Sequence, residues 1–357
     1  MGEIERLSAH ERPPAVMRQL YKEYRSLKPA EVDSHPLVID PQRQDNEGSF
    51  SGLQTEGYVP HQTILTALDK FLDCPFSKDG LKDVPVYTHQ AIPGLRIIPS
   101  LSPPAAQIEL LSRIFHRDLS NEKHKTNIHL HYHMSYPDLQ ASSRDDNSNS
   151  QEKLNNPSQK KGSFFQDSPA RELVPKDPSV HPSLSIKSIL EKKLRWMTLG
   201  GQYNWTDKVY PAELPPPFPE DIAKLLRNLF PDTKAEAAIV NLYSPGDTLS
   251  VHRDVSEECD TGLISISFGC DGLFMVGHED GAGCEVIRLR SGDAVYMTGR
   301  SRFAWHAVPK IIPSTCPGWL ADWPGDSRKF EQWRGWMSNK RINLNVRQMK
   351  EAAAGAD

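Results

Sequence analysis

The chain has 357 residues, 38% of them apolar and 25% charged, and a formal net charge of −4. That balance describes a globular protein with room for one large domain or two smaller ones, and it excludes fibrous and polycationic classes. No apolar run approaches the roughly 20 residues of a membrane-spanning helix, and "MGEIERLSAHERPP" lacks the apolar core of a secretory signal.

Cys74, Cys259, Cys270, Cys284 and Cys316 are odd in number and form no CxxC pair. That argues against disulfides and structural zinc and for a reducing, intracellular setting. With a negative overall charge, nucleic-acid binding would have to use a local basic face.

In chain order, "PPAVMRQLYKEYRSLK" places Val16, Leu20, Tyr24 and Leu27 at helical spacing, which predicts one docked helix followed by a loose linker. "GLRIIPSL" reads as a short strand. "SPPAAQIELLSRIFHRDL" reads as a helix capped by Ser102, with Ile108, Leu111, Ile114 and Phe115 on one face. The segment 141–163 has almost no apolar content and is expected to be a disordered insertion. "LEKKLRWMTLGGQYNW" is a basic, aromatic, strand-like run. "FPEDIAKLLRNLF" is a helix opened by Pro219, with Ile222, Leu225, Leu226 and Leu229 inward. From Ala237 onward, short β-type runs broken by Gly, Asp and Pro point to an antiparallel sandwich, barrel or jelly roll.

The chemistry concentrates in this last third. "PGDTLSVHRDVSEECD" contains His-Arg-Asp, as protein-kinase catalytic loops do. A kinase also needs an Asn five residues after the Asp, an Asp-Phe-Gly and an upstream Gly-rich loop; position 259 is Cys and the other two are missing. In extended chain, His252 and Asp254 share a face and can present an imidazole and a carboxylate to one ion. "RFAWHAVPK" supplies His306 about fifty residues on. Two His and one carboxylate form the facial triad of non-haem Fe(II) oxygenases, which leaves coordination positions for co-substrate and oxygen. Taken alone, these three residues leave the metal reading and an ordinary strand reading both open.

"KRINLNVRQM" alternates strictly: Arg341, Asn343, Asn345 and Arg347 on one face, Ile342, Leu344 and Val346 on the other. Two Arg and two Asn on an inner face are costly to bury without an anionic partner. A dicarboxylate such as 2-oxoglutarate is such a partner, gripped by an Arg fork. The competing reading is an edge strand with a solvated polar face. In "AAIVNLYSPG", Asn241 and Tyr243 share one face just before the turn into His252.

"NLYSPGDTLSVHRD", "SGDAVYMTGRSRFAWHAVPK" and "RINLNVR" together resemble the AlkB dioxygenases, in the order NxY, HxD, distant His, RxxxxxR. The match is closest to the first eukaryotic AlkB-homologue subfamily. It covers roughly Leu95 to Met349 and is strongest from Leu194 onward. The resemblance implies an α+β fold: a double-stranded β-helix (jelly-roll, cupin-like) core with flanking N-terminal helices. It implies Fe(II) on His252, Asp254 and His306, with Asp254 also the catalytic carboxylate. It implies 2-oxoglutarate on Asn241, Tyr243, Arg341, Asn343 and Arg347, with O2 as oxidant. It implies two regions, an N-terminal helix and linker extension at 1–90 and a dioxygenase domain at 91–357.

By the same resemblance, residues around 192–212 correspond to a nucleotide-recognition lid. Trp196, Tyr203, Trp205 and Tyr210 offer aromatic faces there, and Lys192, Lys193, Arg195 and Lys208 offer phosphate partners. Such interleaving suits a flipped or single-stranded base; Trp205 also reads as a core residue. Two departures from bacterial AlkB stand out: Gly201 replaces a stacking Tyr, and Ser256, followed by Glu257, replaces a base-reading Asp. The substrate set is therefore Trp196, Tyr203, Trp205 and Ser256.

The implied activity is oxidative demethylation of N-methylated bases in nucleic acid, of the tRNA N1-methyladenine or DNA N6-methyladenine type, releasing succinate, CO2 and formaldehyde. The alternatives are a protein (histone) hydroxylase or demethylase on the same scaffold and a catalytically silent nucleic-acid-binding protein. The expected setting is a monomer in the nucleus, cytoplasm or mitochondrion, with no membrane partner. "NIHLHYHMSY" would align His129, His131 and His133 if extended, either as a second metal site or as a surface segment.

Overall fold

The computed structural model describes residues 7–43, 52–72, 76, 80–137 and 162–351. Of the expected insertion at 141–163, residues 141–161 lie outside the described residues. The strands are β1 (Val38–Ile39), β2 (Leu53–Val59), β3 (Val84–His89), β4 (Ile92–Ile98), β5 (Glu172–Leu173), β6 (Leu184–Ser185), β7 (Trp196–Gly200), β8 (Ala237–Tyr243), β9 (Leu249–His252), β10 (Leu263–Gly269), β11 (Gly272–Gly277), β12 (Cys284–Leu289), β13 (Ala294–Met297), β14 (His306–Ile311) and β15 (Arg341–Arg347). The larger sheet has the order β2-β3-β4-β13-β10-β15-β8-β7, the smaller β1-β12-β11-β14-β9, and β5 pairs with β6.

Alternation along the strands decides what each face meets. On one face of β15, Ile342, Leu344 and Val346 are fully buried and lie opposite Phe268, Ile266 and Ile264 of β10. Helices α2 (His61–Asp69), α3 (Pro104–Ser112) and α4 (Glu220–Leu229) cover this face with Ile64, Leu68, Leu110, Leu111, Ile222 and Leu226. The other face of the larger sheet turns to the smaller one. There Leu95, Ile97, Leu263, Val295 and Met297 meet Phe274, Val276, Ile287 and Leu289 in one apolar layer. Two sheets closed on each other this way form the jelly-roll core of an α+β fold.

Helix α1 (Ala15–Ser26) lies on the outside of the smaller sheet, with Met17 and Tyr24 buried against Val251, Met275, Val286 and Ala307. All four residues of the expected stripe, Val16, Leu20, Tyr24 and Leu27, pack inward, and Met17 and Tyr21 join them. In α3 the N-cap is Pro103, not Ser102, and the helix continues as a π-turn over Arg113–Asp118. The first ninety residues, read as helix and linker, supply more than that. Strands β2 and β3 extend the larger sheet, and β1 pairs in parallel with β12. Arg290 and Asp40 form a two-pronged ion pair beside the β1–β12 contact.

Leu344→Ala tests this arrangement. Losing a fully buried leucine costs about 2–5 kcal/mol, read as a lower urea midpoint at unchanged slope. A loss under about 1 kcal/mol would mean that this face is not the packed one.

Candidate active site

Strands β9 and β14 are antiparallel neighbours with His252 and His306 in direct register. Both side chains therefore rise on one face, with ring centroids 4.3 Å apart. Asp254 follows two residues on. Its Oδ1 lies 3.9 Å from His252 Nε2 and its Oδ2 3.9 Å from His306 Nε2. Each ring meets a backbone carbonyl through Nδ1: His252 with Ser250 at 2.8 Å, His306 with Ala304 at 3.0 Å. A carbonyl can only accept, so Nδ1 carries the proton and the Nε2 lone pair faces the carboxylate. One ligand atom from each of the three residues lies within 4.8 Å of the others, the one such group among the described residues.

Electrostatics keep these groups ready to ligate. Burial, reinforced by His252, pushes His306 down to about 4, so its ring is neutral at physiological pH. Burial works to raise Asp254, but Arg347, both imidazoles and Arg302 outweigh it and hold the carboxyl well below the usual carboxylate range.

The polar face of β15 is placed by its two neighbours. Arg341 pairs with Tyr243 and Gly269, and Asn343 with Asn241 and Ser267. Arg341 is 2% exposed; its Nη1 donates to the Cys270 and Leu289 carbonyls and its Nη2 to the Ser267 hydroxyl at 2.7 Å. A Cβ on Gly272 would stand 2.7 Å from Arg341 Nε, so a larger residue there would displace the guanidinium. Arg347, also buried, donates through Nη2 to Asp254 Oδ2 at 2.6 Å.

A cavity of about 320 Å³ connects these groups. His252, Asp254, His306, Asn241, Asn343, Arg347, Tyr203, Trp205 and Ser256 line it. Arg341 and Tyr243 stand in the same strand rows just behind the lining. The buried Tyr243 hydroxyl and Arg341 Nε have no hydrogen-bond partner. Interior polar groups are nearly always paired, so an orphaned donor pair beside a cavity marks a place suited to an anionic oxygen. Three hard N/O ligands and a buried cationic anchor fit Fe(II) with a dicarboxylate.

The stretch 201–210, the expected lid, is an irregular turn after β7. Tyr203 and Trp205 meet edge to face at 5.0 Å, Tyr203 and Tyr210 at 5.3 Å, and Trp196 backs Trp205 at 5.2 Å. Trp196 does not line the cavity; its ring is spent on Trp205. Trp205 is 37% exposed, so the core reading of this residue does not hold. The Ser256 hydroxyl donates to the Lys208 carbonyl at 2.8 Å, tying the lid to the HxD loop. No side chain fits at Gly201, where a Cβ would meet Met349 Sδ at 2.5 Å and Ala237 Cβ at 2.8 Å.

Sequence reading missed part of the wall. Ser8, Ala9, Glu11 and Pro13 line the cavity, tied by Lys208 Nζ to the Ala9 carbonyl at 2.7 Å and by Arg253 to Glu11 at 2.9 Å. These residues carry no periodic signal. Ser265 and Asn345 also line the cavity, and both were legible as inward positions of alternating strands. The His129, His131, His133 alignment is not formed. Thr126 caps a 3-10 turn over Asn127–Leu130, which takes the segment out of extended conformation. His129 instead contacts the Thr126 amide and the Tyr136 hydroxyl, and His131 packs on His181.

Residues 170–347 match the family model described as the 2OG-Fe(II) oxygenase superfamily. An N6-methyladenosine RNA demethylase of Pyricularia oryzae is 46% identical, over 97% of this chain and 98% of its own. A tRNA demethylase of Schizosaccharomyces pombe is 37% identical, over 74% of this chain and 82% of its own. The human nucleic acid dioxygenase ALKBH1 is 36% identical, over 46% of this chain and 48% of its own. With the triad, the buried arginine anchor and near full-length similarity in agreement, the chain belongs to the AlkB family of Fe(II)- and 2-oxoglutarate-dependent dioxygenases, in its ALKBH1-type branch.

Proposed function

We propose that this dioxygenase oxidatively demethylates N-methylated bases in RNA or unpaired DNA. The observation that carries the reading is a single cavity. His252, Asp254 and His306 line it together with Asn241, Asn343 and Arg347, with Arg341 and Tyr243 in the strand rows behind them, and Tyr203 and Trp205 line it as well. The names of the relatives, which act on RNA and tRNA, support the substrate class.

His252, Asp254 and His306 would hold Fe(II), and Arg341 with Tyr243 and Arg347 with Asn343 would offer donors to the two ends of 2-oxoglutarate. Held there, Fe(II) and 2-oxoglutarate would supply, with O2, the chemistry that hydroxylates an N-methyl carbon, with succinate and CO2 as co-products and loss of the methyl group as formaldehyde. The protein supplies orientation and dryness. Backbone carbonyls fix both imidazole tautomers, Arg347 keeps Asp254 ionised, and the lid and the 8–13 segment narrow the access of water. In this reading Tyr203 and Trp205, which line the cavity, flank a base, and the exposed Lys192 and Lys193 offer phosphate contacts, Arg195 being paired with Asp247. We take the working unit to be a monomer inside the cell, with 192–212 as its nucleotide-recognition lid.

Succinate and formaldehyde release from methylated tRNA, methylated single-stranded DNA and a methylated histone peptide tests the assignment. Turnover on the nucleic acids is expected; turnover on peptide alone would reassign the substrate. His252→Ala and Asp254→Ala are expected to lose at least about 100-fold in kcat/KM, roughly 2.7 kcal/mol, while remaining folded by circular dichroism.

Tyr243→Phe isolates the co-substrate anchor. Its hydroxyl is buried with no partner in the free protein, so its removal does not lower the melting temperature. A hydrogen bond to a charged group is worth about 1.5–3 kcal/mol, so KM for 2-oxoglutarate should rise by about tenfold or more. An unchanged KM would remove Tyr243 from that role.

Trp205→Ala should weaken RNA binding by about 1–3 kcal/mol through lost stacking. Lys192 and Lys193 to Ala should instead flatten the slope of log affinity against log salt. A slope unaltered by the double substitution would place the phosphates elsewhere.

A further inference from the structure

Arg302, so far only a charge near Asp254, and Glu257, which lines the cavity, are buried charged residues with no part in ligating the metal. Arg302 is fully buried and sits in the 3-10 turn Gly299–Phe303, four residues before His306. Its planar head serves three points on the loop that follows His252. Nη1 donates to the Asp254 carbonyl at 2.8 Å, Nη2 to Glu257 Oε2 at 2.9 Å, and Nε to the Thr261 carbonyl at 2.9 Å. The loop from Asp254 to Thr261 is wrapped around one guanidinium, whose fixed fork sets three directions at once. Glu257, 5% exposed, turns its other oxygen to Arg347, 3.2 Å from Nε in an ion pair without a hydrogen bond, and Arg347 Nη2 donates to Asp254 Oδ2 at 2.6 Å.

The contacts close into a ring: Asp254 backbone, Arg302, Glu257, Arg347, Asp254 carboxylate. Two carboxylates and two guanidinium groups make it neutral, so burial is not opposed by net charge. A buried ion pair is by itself weak evidence of a role, since apolar residues often do as well for stability. What sets this ring apart is that both of its ends return to one residue, once through the main chain and once through the side chain. That residue presents its carboxylate to two imidazoles from neighbouring strands.

We infer that Arg302 and Glu257 are positioning residues for the metal centre. They fix the backbone of Asp254 directly and its carboxylate through Arg347, and so set metal affinity together with the placement of Arg347 at the co-substrate. The inference rests on the reading that His252, Asp254 and His306 hold the metal.

Mn(II) titration followed by electron paramagnetic resonance tests it, on the full chain and below the melting temperature of each variant. Wild type, Asp254→Ala, Glu257→Gln and Arg302→Lys are compared. Glu257→Gln keeps the size of the side chain and removes the charge facing Arg347. Its Kd for Mn(II) should rise by about tenfold or more, as for other partners that orient a metal ligand. KM for 2-oxoglutarate should rise with it, more than kcat falls. Arg302→Lys should weaken Mn(II) at least as much; should it fail to fold, Glu257→Gln decides alone. Wild-type binding with folded Glu257→Gln within about twofold of it, well short of the tenfold effect, overturns the inference and leaves the metal site standing. Wild type binding Mn(II) no better than Asp254→Ala overturns the metal site itself, and the inference with it.

Discussion

The site depends on the register of β15 between β10 and β8. Its apolar face, Ile342, Leu344 and Val346, is fully buried under the helices, and a slip of one residue would exchange it for two arginines and two asparagines. The hydrophobic effect therefore decides which way Arg341 and Arg347 point, although neither takes part in it. Once that register is set, Arg341 must face Tyr243 and Asn343 must face Asn241. The chemistry is aimed by packing on the opposite side of the same strand.

The same logic explains how a triad spread over fifty-odd residues of chain becomes compact. His252 and His306 are directly paired across β9 and β14, where the outside of the sheet is held by α1 through Met17 and Tyr24. The glycines follow from crowding at the site. Gly272 yields space to the Arg341 guanidinium, and Gly201 yields space to Met349 and Ala237 beneath the lid. Tyr203 and Trp205 reach the cavity from a few residues further on.

How much was legible in the sequence divides along physical lines. Strict alternation in "RINLNVR" and "AAIVNLY" and the two-residue spacing of His252 and Asp254 were readable, because a strand converts spacing into facing with no further information. The amphipathic helices were readable for the same reason, and the expected stripe of α1 does pack inward. What was not readable depends on contacts with no local period. The two-residue strand β1 exists through β12 and the Arg290–Asp40 pair, whose members are 250 residues apart. The 8–13 segment reaches the cavity because Lys208 and Arg253 hold it, not because of any pattern of its own. The histidines of 129–133 alternate as strand residues would, yet Thr126 starts a 3-10 turn and the alternation loses its meaning. Trp196 had the right type and the right strand row, but its ring is used by Trp205.

Charge accounting links the metal and the co-substrate. Asp254, Glu257, Arg302 and Arg347 cancel among themselves, and both imidazoles are aligned by backbone carbonyls. Arg341 remains as a further buried cation. Burial lowers its pKa, and Tyr243, Asp271 and Asp293 act to keep it charged. A divalent cation entering alone would add two positive charges to a low-dielectric space that already holds a surplus guanidinium, and a dicarboxylate entering alone would bring two negative charges against Asp254. Entering together they would leave the balance nearly as it was, so the electrostatics of the protein favour loading the two as a pair over either one alone.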